Sequence, residues 1–594
     1  MKAILKQLTL ERLLPRLFTG WCMAAFIETA LNPYGFALKE FVTAMSTGRF
    51  LLVLVLITVA ITAVSVIAKR DTVPWETAVL VSASFLYLSQ LAFYEHNFWF
   101  SLCLVFVMLI ICLYALQKDR LDLANIELTD KAVITLIGCG AVIFTLYSAF
   151  VTVCRYKGFI SSTFDLGIFA QMFYYMKETG LPLTTCERDG LLSHFAVHVS
   201  PIWYVLLPGY FIFPSPVYLQ IMQAVILASG VIPLYLLCKQ TALSKNSTLC
   251  ICLCYCFFPA LAGGQFYDIH ENLFLAPLLL WLFYFYEKKK TWGIWVFAVL
   301  TFLVKEDAAI YVACFALYAL CSRKDIKHGL PLLLVAIGYF FAATALLAAF
   351  GDGVMTSSRF DAYLPVGSNS MIDVLKTVFF NPAFLFEQVF TMEKVRFLLL
   401  MLLPVACLPL FTKKISSLLL LVPMLVVNVM PNWEYQYSIH FQYVFGSIAL
   451  IMYLSVINVQ ALSAKIRRFI LPFAVSCAVL LSIAHLSQFS DTITSYFQKI
   501  ETNKTVSETL ASIPEDASVV SHGFYLPTVS QRKTVYDLST GKRAEYIVID
   551  LRPGCEADAV EKDTHYASLP DSYECIARHN NLVAVYRDKN FSEE

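Results

Sequence analysis

An all-α polytopic membrane protein carrying a small α/β domain at its C-terminal end is the fold class that three observations predict. The 594-residue chain is 58% hydrophobic and only 15% charged, with a mean hydropathy of +0.67, far from a soluble globular average. Apolar stretches long enough to cross ~30 Å of hydrocarbon recur along most of the chain. From about residue 490 the pattern changes to short β-rich runs separated by turns and charged segments.

The opening MKAILKQLTLERLLPRLF is basic but has no compact apolar core followed by a small-residue cleavage site, so it is read as a cytoplasmic start. About 15 spans are then expected: 18–40, 47–68, 75–93, 97–116, 132–153, 217–238, 247–262, 272–286, 291–304, 307–321, 328–350, 395–412, 415–430, 440–458 and 468–488. Glu28, Asn32 and Pro33 interrupt the first. The segment 199–213 is apolar, short and flanked by prolines. It is read as re-entrant or interfacial, because a full crossing would reverse every later loop. Several spans of only about 15 residues predict broken or tilted helices around a cavity. Three regions follow: additional N-terminal transmembrane helices (1–130), a transmembrane core with its loops (131–489), and a tail domain (490–594). Strands are expected in the tail at 518–522, 534–538, 545–551 and 582–587.

The lysines and arginines orient these elements. Basic loops at 69–70, 117–120, 239–245, 287–290, 323–327, 413–414 and 465–468 are cytoplasmic by the positive-inside rule. The loops 154–216, 267–272, 305–307, 351–394 and 432–440, and the tail, then lie on the extracytoplasmic face. The protein is expected in the cell (cytoplasmic) membrane with the lipid bilayer as a partner. A net charge of +1 without a basic stripe argues against nucleic acid as a partner. Most of the 17 cysteines lie within apolar spans, where cysteine behaves as a small hydrophobe. Cys186, Cys555 and Cys575 lie in polar segments, and Cys555 could pair with Cys575 in an extracytoplasmic tail.

Three polar clusters interrupt the apolar pattern, all on the same expected face, and ionisable groups kept at membrane boundaries point to a site. Asp165 opens a stretch in which Phe164, Ile168, Phe169, Met172, Phe173 and Met176 recur at helical spacing, expected as an amphipathic helix on the membrane surface. Asp165 either caps that helix or acts as a general base on an acceptor hydroxyl. Glu187, Asp189, His194 and His198 follow. The histidines, four apart, would share a helical face, and with Asp268, His270 and Glu271 could hold a divalent cation, Mg or Mn. The alternative is that they hydrogen-bond carboxylates and phosphates. Lys305, Glu306 and Asp307 either neutralise one another or present Lys305 to a phosphate. Arg359 and His440 are further phosphate candidates, whereas Tyr435, Tyr437 and Tyr443 are expected in an interfacial aromatic belt.

The stretches FDLGIFAQ, HFAVHVSPI, PSPVYLQIMQA, YDIHENLFLAPLLLW, LVKEDAAIYVACFALY and IPEDASVVSHGFYLPTVSQRKTVYDL resemble a bacterial family of predicted multi-pass membrane proteins of unknown function, over roughly residues 140–550. That family in turn resembles the GT-C class of integral-membrane glycosyltransferases. The resemblance implies a GT-C-like core, a polyprenyl-phosphate-linked sugar donor and an envelope glycan, lipid or protein acceptor. By position Asp165 matches the class's catalytic acidic residue in the first extracytoplasmic loop, although the adjacent acidic pair of some members is absent. The implied activity is inverting glycosyl transfer. A transporter or flippase of a lipid-linked solute is disfavoured by the lack of internal repeats and by charges gathered at one face. A non-catalytic envelope assembly protein is the third reading.

Overall fold

A computed structural model describes residues 7–33, 36, 39–68, 71–117, 128–188, 190–351, 357–368, 370–553, 573–579 and 581–591. The N-terminal block comprises α1 (Leu10–Leu31), α2 (Thr47–Ile67), α3 (Val73–Tyr94) and α4 (Phe98–Leu116). The core begins with α5 (Asp130–Lys157) and α6 (Ile168–Thr179), followed by α7 (Pro216–Ser229), α8 (Val231–Gln240) and α9 (Lys245–Cys256). It continues with α10 (Leu275–Glu287), α11 (Thr291–Phe302), α12 (Ala309–Cys321) and α13 (Ile326–Phe350). Two short helices, α14 (Met371–Phe380) and α15 (Pro382–Val389), precede α16 (Met392–Leu402), α17 (Phe445–Ala461) and α18 (Ala464–Leu486). The tail starts with α19 (Ser490–Gln498) and α20 (Ile500–Ala511).

The expected fold class is the observed one. Among the described residues, nine helices are long and apolar enough to cross a membrane, counting α7 with α8 as one. The other expected spans are short or broken. The apolar runs at 272–286, 291–304 and 307–321 become α10, α11 and α12, of 13, 12 and 13 residues, less than the roughly 20 residues a crossing needs. The runs 395–412 and 415–430 dissolve into α16 and a series of 3₁₀ and π turns, where Ala406 and Cys407 take positive φ. Residues 199–213 form a 3₁₀ turn and a six-residue helix, too short to span, as expected. The charged α1, expected as a span at 18–40, ends at Leu31.

The tail carries a five-stranded sheet of order β4-β3-β5-β7-β6, built from β3 (Val519–Ser521), β4 (Val535–Asp537), β5 (Tyr546–Asp550), β6 (Tyr573–His579) and β7 (Val583–Asp588). β4, β3 and β5 run parallel, while β7 and β6 are antiparallel. Central β5 is buried along its whole length, which suits its unbroken YIVID run. Four of the five strands fall where the sequence places them, and β6 is an addition. Cys575 is exposed and bonded to no described cysteine, and Cys555, its expected partner, lies outside the described residues.

This tail is docked, not tethered. Val506, Leu510, Leu526 and Val529 share one apolar cluster with Phe159 and Ile168 of the core. A Cβ on Gly167 would approach the Leu526 side chain to 2.8 Å, so glycine permits the close contact. The N-terminal block instead joins the core through α4 and α18, where Leu104, Met108 and Ile111 meet Leu480 and Ala484.

Candidate functional site

The polar site is assembled where chain breaks bring four loops together. Asp165 sits in a kink, Thr163–Gly167, between α5 and α6, where Phe164 is extended and Asp165 has φ 63° and ψ −78°. Those angles approach the rare γ-turn form of an L-residue, a strain of about 1–3 kcal/mol that surrounding structure must hold. The expected cap role does not hold. The N-cap of α6 is Gly167, without a side-chain cap bond, and the Asp165 carboxylate bonds to none of the described residues. Nor does α6 lie on a membrane surface: Ile168 to Phe173 and Met176 are all buried. Phe169 turns its ring to His194, Trp203 and His270, at 5.3, 4.7 and 5.9 Å between centroids.

A two-residue hairpin, β1 (Leu183–Thr184) with β2 (Leu192–Ser193), presents the second group. Buried His194 Nδ1 lies 3.0 Å from both Glu187 oxygens. His198 Nδ1 lies 3.0 Å from Glu306 Oε1, whose other oxygen accepts the Val199 N–H at 3.2 Å. The two histidines do not share an α-helical face, because His194–Ala196 is a 3₁₀ turn that ends before His198. Their rings are nonetheless 6.0 Å apart. Asp189 lies outside the described residues.

The third and fourth loops meet across an ion pair. Lys305 Nζ is 3.2 Å from Glu271 Oε1, and both side chains are buried. Lys305 is therefore paired across the fold rather than neutralised by Glu306 and Asp307 beside it. Asp268 Oδ1 accepts bonds from Ser161 Oγ and Gln220 Nε2. His270 Nδ1 lies 3.4 Å from both the Asn272 nitrogen and Glu271 Oε2.

Electrostatics divide these groups. Burial, aided by Glu271 and Asp268, holds the Asp165 carboxyl well above the ordinary range, against the pull of Lys305. Burial raises Asp268 to about 6, with Arg155, Ser161 and Gln220 opposing. Burial also opposes ionisation of Glu271, but the basic groups around it, Lys305 among them, outweigh this and keep it ionised. For Lys305, burial is likewise overcome by Glu271 and Asp307, so the ammonium persists. His194 is lifted by Glu187 despite its burial. His270 is driven well below its ordinary value by burial and stays neutral. Carboxyls held at different proton affinities in one site are how a protein separates acid from base.

Much of this cluster is unsatisfied. Glu271 Oε2, Asp268 Oδ2, Asp307 Oδ1 and His194 Nε2 are buried without a hydrogen-bond partner among the described residues, and Glu271 Oε1 has its ion pair with Lys305 alone. Buried polar groups are ordinarily paired, so such a concentration calls for an explanation. Among the described residues no three His, Cys, Asp or Glu side chains are arranged to hold a metal ion, so the expected divalent-cation shell of His194, His198, Asp268, His270 and Glu271 does not form.

Arg359 reaches the rim of the site. Its guanidinium lies 3.5 Å over the Trp433 ring and 5.5 Å from that of Tyr443, and Tyr443 in turn sits 6.3 Å from His270. Tyr443 thus belongs to the site instead of the expected aromatic belt. His440 does not join the cluster: it packs on Phe489 at 5.5 Å, and burial lowers it to about 4.

Three contributors escaped the sequence reading. Gln220 and Gln223, three apart on apolar α7, hold Asp268 and the His270 N–H; two amides inside a span were the available signal. Gln171, last residue of FDLGIFAQ, is fully buried. Its Oε1 accepts the Thr185 N–H at 2.7 Å, and its Nε2 donates to Thr185 Oγ1 at 2.8 Å and to the Arg532 and Lys533 carbonyls, each at 3.2 Å.

No curated protein matches the chain. A family described as predicted membrane proteins, DUF2079, matches residues 155–584. That stretch begins just before the Asp165 kink, takes in every loop of the polar cluster and runs into the last strand of the tail. The chain therefore belongs to this family of membrane proteins of unknown function.

Proposed function

We propose that the protein is an inverting glycosyltransferase that moves a sugar from a polyprenyl-phosphate donor to an envelope acceptor. The observation that carries this reading is Asp165: strained, free of hydrogen bonds to the described residues, raised in proton affinity and set in the field of Glu271, Asp268 and Lys305. A carboxylate shifted toward neutrality is a better general base than an ordinary one. Asp165 would take the acceptor hydroxyl proton as that oxygen bonds to the anomeric carbon. The bond from this carbon to the phosphate oxygen breaks, its electron pair leaving with the polyprenyl phosphate. Lys305 and protonated His194, with Arg359 at the rim, supply the positive field for the departing phosphate. The buried carboxylates Glu271 and Glu187 hold those two cations in place.

The test is transfer by the purified full-length protein from a panel of radiolabelled polyprenyl-phosphate sugars to total envelope acceptors. Transfer by the wild type that is lost in Asp165→Asn supports the reading. A folded wild-type protein that turns over no donor in the panel overturns it.

A further inference from the structure

The segment between α13 and α16 contains a surface that the polar site does not use. In α14, Met371, Ile372, Leu375, Phe379 and Phe380 all project from one half of the helix, while Val374 is buried on the other. Leu375 is 68% exposed, Phe379 79% and Phe380 78%. On the adjoining α15, Phe386 is 59% exposed, and Phe390 just beyond it 63%. An apolar patch of this kind on a loop between spans is not expected to face water.

Three observations identify its occupant. The patch follows in sequence α13, a membrane-spanning candidate whose Leu334, Phe341 and Phe350 are also exposed. The helices have 10 and 8 residues, too few to cross a bilayer but suited to lying in its plane. The cation on this face, Lys376, is held at 2.7 Å by Asp373 at the helix edge, and its long stem lets the ammonium reach the headgroups. The inner side is pinned to the core: Phe384 packs on the Tyr363 ring at 5.9 Å, and Tyr363 Oη donates to the Met430 carbonyl at 3.2 Å.

We propose that α14 and α15 form an in-plane membrane anchor, with the Leu375, Phe379 and Phe386 face immersed in the leaflet nearest the polar cluster. Arg359 lies between α13 and this hairpin in sequence and at the rim of the cluster in space. α14 packs against the Ser357–Tyr363 turn that carries Arg359, so an amphiphile in that leaflet would meet the hairpin close to Arg359. The membrane contact stands independently of the transfer reaction, since it rests on surface chemistry alone.

Hydroxyl-radical footprinting of the unmodified full-length protein in phospholipid nanodiscs tests this without any substitution. Ile576, 44% exposed on the edge strand of the tail, serves as the water-facing reference. After correction for intrinsic reactivity, Phe379, Phe380 and Phe386 are expected to label about tenfold more slowly than Ile576, as immersion in the acyl boundary requires. Labelling of the three phenylalanines at the rate of Ile576 overturns the proposal.

Discussion

Two groups of charged residues, each built around buried glutamates, are finished in opposite ways. In the N-terminal block Arg16 uses all its donors. Nε and Nη2 meet both Glu76 oxygens at 2.8 and 2.9 Å, while Nη1 and Nη2 also reach Gln7 and Thr62. Glu76 accepts further bonds from Ser65 and Thr72. More than three turns further along α1, Glu28 takes two bonds from Arg49 and one from the Ser46 N–H. No buried atom of these ion pairs lacks a hydrogen bond. Around Asp165, by contrast, Glu271 Oε2, Asp268 Oδ2, Asp307 Oδ1 and His194 Nε2 are buried without a hydrogen bond among the described residues, and the central carboxylate occupies a strained backbone. A closed network fixes a fold. An open one keeps its chemistry for something else, at a cost in stability.

The sharpest way to break this contrast is to neutralise one acid in each cluster. Asp165→Asn is expected to lower transfer by about 10²- to 10⁴-fold, the usual worth of a general base. The melting temperature should hold or rise, because the change removes a carboxyl repelled by Glu271 and Asp268. Removing one partner of the closed pair acts the other way. Arg16→Met leaves Glu76 buried alone and is expected to destabilise by about 3–5 kcal/mol, whereas Arg16→Met with Glu76→Leu should recover most of that loss. Thermal melts in detergent, beside activity per folded molecule, read both. If Asp165→Asn melts as low as Arg16→Met, the distinction between the clusters fails.

The open cluster also predicts a pH dependence. Asp268 is raised in the folded protein to about 6, above the ~3.9 of a free aspartate. A raised acid gives stability that is complete below the unfolded value and lost as pH climbs through the folded one. Its share, about 3 kcal/mol for a shift of roughly two units, therefore fades between about pH 4 and 6. The raised Asp165 and His194 act in the same direction, while ionised Glu271 acts only on the acid side of this window. Neutral His270 and His440 oppose this decline, since their lowered proton affinity gives stability that grows as pH rises toward the ~6.5 of a free imidazole. The difference therefore carries the test: between about pH 4 and 6 the stability of the wild type relative to Asp268→Asn should fall by about 3 kcal/mol. Parallel curves would mean that Asp268 does not carry the proton assigned to it.

The sequence made the convergence of the polar loops legible, because lysine and arginine positions orient the loops without any knowledge of packing. His194, Asp268 and Lys305 meet as that orientation requires. Backbone form and long-range pairing were not legible. Nothing in FDLG announces a positive φ at an aspartate, and the Lys305–Glu271 pair spans loops whose approach depends on tertiary contacts. His440 was misplaced for the same reason: polarity at a span boundary marks a face of the membrane, not a position on it. Short apolar runs such as 272–286 read as spans because hydropathy reports burial, and α10 is buried in protein instead of lipid.

The tail offers the finest adjustment of the contrast, since it couples to the open cluster alone. Asp537 of β4 accepts a hydrogen bond from Thr163, two residues before Asp165. Thr185 of the Glu187 loop donates to the Val535 carbonyl at 2.7 Å and accepts the Val535 N–H at 3.0 Å. Gln171 ties α6 to both. The tail is thus positioned to hold the strained kink in place. Gln171→Ala removes its donor and acceptor together, leaving the Thr185 and Cys186 N–H groups to find other partners. A loss of about 1–3 kcal/mol is expected, confined to tail docking. Hydrogen exchange should quicken in β4 and around Thr163 while α1 to α4 remain unchanged. Exchange that quickens equally in α1 to α4 would show that the two halves melt as one unit and that the tail's hold on the kink is not local.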